Sequence, residues 1–187
     1  MLVFDLMLIL LIIISITLLS GTKIMCNTKY FQFIISILVI STNLKTIVKG
    51  YSLGYISIDI LLFLLTLIII CFWVGYRKNK YKYSIHNVEQ SDITNIIENY
   101  LKNKYIKYKI DYNKIYLNDT NNTIYINDDI DVTLDFKEIK NTSFLNELIN
   151  EIKLKIKKIN KKSFSIQSIF YLVFSLFFLW IRITFLK

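Results

Sequence analysis

The chain has 187 residues, 54% of them apolar, with no proline, four glycines and a formal charge of +9. Two cysteines and a single histidine cannot build a disulfide framework or a Cys/His metal cluster, and they argue against a Cys–His nucleophilic pair as well. Ile, Lys, Asn and Tyr dominate in the manner of an AT-rich coding bias, so lysine content alone says little about partners.

Long charge-free runs alternate with one dense charged region, a membrane-type pattern. The first run, residues 2–20, is broken only by Asp5. It lacks a basic leader and a small-residue cleavage site, so it is expected as a retained helix and not a signal peptide. The second run, residues 30–44, is shorter and gives a helix over residues 30–48 at most. It reaches spanning length only if Lys45 snorkels; a re-entrant segment is the alternative. The third run, residues 53–76, is long, with Tyr51, Tyr55, Trp73 and Tyr76 where interfacial aromatics belong. The fold expected is a multi-pass α-helical membrane protein of about four transmembrane helices with a small α+β domain between helices three and four. Its divisions are residues 1–76, 77–163 and 164–187.

Within the polar region, Tyr83–Val88 reads as a strand, and a helix capped by Ser91 or Asp92 carries Ile93, Ile96, Ile97, Tyr100 and Leu101 on one face. Alternation follows at Ile106–Ile110 and Ile115–Leu117, then at Ile124 and Ile126, and most cleanly at Ile130–Phe136. A helix from Ser143 aligns Leu145, Leu148, Ile149, Ile152, Ile156 and Ile159. The order is roughly β-α-β-β-β-α, helices packed on a mostly antiparallel sheet. The last helix is a candidate to run on into residues 164–186, since neither Gly nor Pro interrupts residues 160–164.

Residues 77–82 carry four positive charges and residues 153–162 six, while residues 83–152 hold seven lysines against twelve acids. The basic excess therefore flanks the domain. Arg77, Lys78, Lys80, Lys157, Lys158, Lys161 and Lys162 are expected to contact lipid headgroups, and nucleic acid is not an expected partner. Basic flanks also put residues 77–163 on the cytoplasmic side, and the composition bias with no organelle-targeting feature leads to the expectation of a bacterial plasma membrane. The sequons at Asn118, Asn121 and Asn141 are chance matches in an Asn-rich chain.

Asp59 stands out as an intramembrane ionisable residue, with Lys45 or Lys49 as pairing partners. Asp5 and Arg182 read as solvated and snorkelling ends. The acidic run Asp119, Asp128, Asp129, Asp131 and Asp135 lacks the glycine and terminal glutamate of a calcium loop; Asp131 and Asp135 fit the wet face of a strand. His86 has no nucleophile or second base at any recognised spacing, and no glycine-rich phosphate loop exists. No catalytic residue, cofactor or metal is thus expected. The functional expectation is a non-enzymatic accessory or regulatory subunit that binds a protein partner. A homo-oligomeric transporter or channel component using Asp59 is the alternative.

Overall fold

The computed structural model describes residues 2–118, 121–128, 131–160 and 166–185. Along the chain lie α1 (Leu2–Leu19), β1 (Ile24–Asn27), α2 (Thr28–Ser52), α3 (Ile58–Asn79), β2 (Lys82–His86) and α4 (Gln90–Asn103). They are followed by β3 (Tyr108–Asp111), β4 (Lys114–Leu117), β5 (Asn122–Asp128), β6 (Val132–Asp135), α5 (Leu145–Ile156) and α6 (Ile166–Phe185). The strands form one antiparallel sheet in the order β1-β2-β6-β5-β4-β3. The hairpin β3–β4 turns through Tyr112 and Asn113, with Tyr112 in the left-handed region at φ 46°.

One face of this sheet and two helices make the main core. Residues Met25, Ile85, Ile115, Ile124, Ile126, Val132 and Leu134 alternate inward and meet α4 and α5. The helical faces that bury are those the apolar spacing marks: Ile93, Ile96, Ile97, Tyr100 and Leu101 on α4, and Leu145, Leu148, Ile149, Ile152 and Ile156 on α5. Helix α4 starts at Gln90 after Glu89, and neither Ser91 nor Asp92 is its cap. The opposite sheet face is polar. There Lys82 pairs with Asp135, and Glu138 accepts from the Thr123 backbone amide and the Tyr125 hydroxyl.

The expectation of a four-span membrane protein is corrected. Among the described residues one helix, α3, is long and apolar enough to cross a bilayer by length and composition. The apolar stretches of α1 and α6, Phe4–Leu19 and Ser168–Thr184, fall short of that length. Helix α2 reaches 25 residues only by taking in Lys29, Lys45 and Lys49 with several polar residues. The apolar runs at the two chain ends have an intramolecular use: α1 packs on α6, burying Phe4, Leu8, Leu11 and Phe178. Phe4 meets Phe178 edge-on at 6.2 Å. Ser15 and Ser175 approach to 3.4 Å where the two helices touch. Asp5 and Arg182 also pair, Nε to Oδ1 at 2.7 Å, so neither is the isolated charge expected. Hydropathy measures apolar character and not what covers it, and so it read helix-on-helix packing as membrane spans. The multi-pass assignment falls with the fold class. The plasma-membrane placement, with residues 77–163 facing the cytoplasm, has no footing in this architecture.

A second departure concerns β1. The segment around Cys26, lying between the first two apolar runs, is the edge strand of the sheet. The α+β unit thus draws in residues 24–27, far upstream of residue 77. Helix α1 ends just before β1 at Gly21, whose φ of 79° suits a C-terminal cap; its amide donates to the Leu18 carbonyl. Asn87 then donates to the carbonyls of Leu18 and Thr22, tying that cap to the end of β2. Continuity of the chain from α5 into α6, together with Lys161, Lys162, Asp119 and Asp129, lies outside the described residues.

Candidate functional site

Two features can carry function. The first is the α2–α3 hairpin. None of the 22 residues of α3 is buried; Ile69 is 67% exposed, although the helix is strongly apolar. Between the two helices runs an open groove of about 390 Å³, lined by Ile35 and Ile40 of α2 and Leu67, Ile68, Cys71 and Phe72 of α3. The helices are drawn together at Gly75, where a Cβ would collide with the Gln32 side chain. Gln32 is held there as the acceptor for the Asn79 side-chain amide. Phe33 and Phe72 meet edge-on at 5.5 Å.

Asp59 lies in the first turn of α3 beside its N-cap Ser57 and is exposed. A carboxylate there favours the helix dipole. The position is open, whereas an ion-pathway carboxylate would face protein. Arg77, Lys78, Lys80, Lys157 and Lys158 are all exposed, the first three at the end of α3 and the other two directly after α5. The Arg77 guanidinium stacks 3.9 Å above the Trp73 ring.

The second feature is one that sequence reasoning set aside. Cys26, His86 and Asp131 stand in a row across three neighbouring strands. The register sets this row. Cys26 pairs with Ser84 and Ile24 with His86, so Cys26 and His86 are diagonal neighbours on one face of β1 and β2. Ile85 pairs with Val132, which places Asp131 beside His86 at the mouth of β6. His86 Nδ1 sits 2.6 Å from Asp131 Oδ2, and Nε2 sits 3.7 Å from Cys26 Sγ. The imidazole and carboxylate side chains are nearly sealed, at 2% and 6% exposure, while Cys26 is partly open. Asp131 is therefore not the solvated strand residue expected. Tyr171 of α6 lies edge-on to the imidazole at 6.1 Å and stacks on Phe31 of α2 at 4.1 Å.

Burial alone would favour the neutral imidazole. The Asp131 hydrogen bond and charge, together with Cys26, outweigh that and raise the His86 pKa to about 9. The Nδ1 proton is donated to Asp131, which fixes the ring so that Nε2–H faces the sulfur. This is the geometry of a thiol, an imidazole and an orienting carboxylate. The three residues are 60 and 45 positions apart, so no local motif announces them. The only sequence signal is that His86 and Asp131 both fall in segments with strand-type alternation; nothing marks Cys26. Among the described residues no three His, Cys, Asp or Glu side chains are placed to hold a metal ion.

Compared with protein-family models, with curated proteins and with solved structures, the chain matches none, so its functional reading rests on these two features.

Proposed function

We propose that the protein is an accessory or regulatory subunit that acts by binding: an apolar helix of a partner protein lies in the groove between α2 and α3. The observation that supports this reading is the bare state of α3, strongly apolar and with no buried residue. An apolar surface of this extent, left open on a folded chain, marks a place where another surface docks. A groove between two packed helices, lined by Ile35, Ile40, Leu67, Ile68 and Phe72, matches the ridge of a third helix. Basic residues Arg77 and Lys78 at the end of α3 favour an acidic stretch next to the partner's apolar face.

The test is gentle purification of the full chain, with the mass of the complex measured by light scattering and its members identified. The expected result is a second protein at fixed stoichiometry that is lost on Leu67→Glu, an exposed position whose change leaves the folded core untouched. A monomer without companion, a homo-oligomer, or a partner retained by Leu67→Glu would each overturn the reading.

A further inference from the structure

The row Cys26–His86–Asp131 is not used by a docking surface on α3, and its parts are arranged for chemistry. A purely structural role explains it poorly. Strands β1, β2 and β6 are already joined by their backbone ladders. An imidazole–carboxylate pair can brace a sheet without any third member, so it needs no sulfur at its far end. Instead, the two groups that set the proton are closed off while the sulfur stays partly open. A reagent can thus approach Cys26 from the open end of the row, with His86 Nε2 3.7 Å behind the sulfur.

We propose that Cys26 is a nucleophilic acyl acceptor, modified by thiol–thioester exchange, with His86 handling the proton and Asp131 positioning His86. One proton is shared between Cys26 Sγ and His86 Nε2. The sulfur forms a bond to the acyl carbon, and the carbon–sulfur bond to the donor's thiol breaks. The departing thiolate takes the shared proton from Nε2 and leaves as a thiol. One thioester replaces another, so the step needs no oxidant, metal or further reactant.

The donor class follows from what the row supplies. A thioester needs one proton at one leaving sulfur, which Nε2 delivers. An unactivated amide needs strong stabilisation of its oxyanion as well, worth roughly a hundredfold or more per donor. Phe31, partly exposed and stacked on the buried Tyr171 beside the imidazole, offers apolar surface for the acyl chain.

The test uses the purified full chain and octanoyl-N-acetylcysteamine as donor, with hydroxylamine-sensitive acylation read at each cysteine by mass spectrometry. Folding ordinarily slows a half-covered thiol. Here the folded chain is expected to acylate Cys26 on the order of a hundredfold faster than the same cysteine in urea-unfolded chain. His86→Gln should remove that acceleration, and Asp131→Asn should remove most of it, each checked for folding by thermal melting. A Cys26 rate in the folded wild type no higher than in urea overturns the proposal, and that result does not depend on whether any variant folds. Acceleration that survives His86→Gln overturns it too. The readout is independent of the α3 groove, so loss of one reading leaves the other standing.

Discussion

Helices α4 and α3 are both rich in Ile and Leu, yet they end in opposite states. Helix α4 confines its apolar residues to one stripe, and that stripe is buried to the last residue against the sheet and α5. Helix α3 is apolar on every side, and the fold fully buries none of its residues. An amphipathic stripe matches a single neighbouring surface, which its own chain can provide. An all-round apolar helix needs neighbours on all sides, and here α2 supplies one. Burial is therefore a matter of geometric supply and not of hydrophobicity.

The contrast can be broken most directly by truncating one large side chain in each region. Phe136, fully buried against Tyr83, should cost about 3–5 kcal/mol as Phe136→Ala, while Ile69→Ala on α3 should change stability by less than about 0.5 kcal/mol. Urea unfolding of both variants measures the difference; equal losses would mean that α3 is covered in the molecule.

The next effect concerns the buried pair where the sheet meets α6. The His86 pKa is raised from 6.5 to about 9 in the folded state. A raised value contributes stability that is fully present below about pH 6.5 and is lost as the pH climbs through about 9. The upper bound is roughly 3 kcal/mol at 1.36 kcal/mol per pH unit. Unfolding free energy followed from pH 6 to pH 10 should fall in that window in the wild type and stay flat there in His86→Gln.

A smaller effect is expected at the α2–α3 contact. Gly75→Leu pushes a side chain into Gln32, and should cost about 1–3 kcal/mol or splay the hairpin, read as altered cross-linking between Cys71 and a cysteine placed on α2. Smallest of all, Asp5→Asn removes a half-exposed ion pair with Arg182; thermal melts should shift slightly at low salt and less at high salt.

Much of the α4–α5 unit was legible in the residues. The stripes of α4 and α5 and the alternation through Val132 and Leu134 became the core, because periodicity of 3.6 or 2 states which side of an element is apolar. The alternating stretches 106–110 and 115–117 became the β3–β4 hairpin for the same local reason. The use of the apolar runs was not. Residues 2–20 look like a membrane span by composition, and only their contact with α6 shows Leu8 and Leu11 buried in an intramolecular seam. Asp5 and Arg182, 177 positions apart, could not be paired from spacing.

By itself the sequence determined which faces are apolar, where charge concentrates, and that residues 53–76 form a long apolar run. Only the tertiary structure decided that residues 24–27 join the sheet as an edge strand and that Cys26, His86 and Asp131 share one face in contact. The physical reason is register. A strand pairing shifted by one residue would turn Cys26 to the other face of the sheet, and the pairing between distant strands is selected by the packed core as a whole and not by any local run of residues.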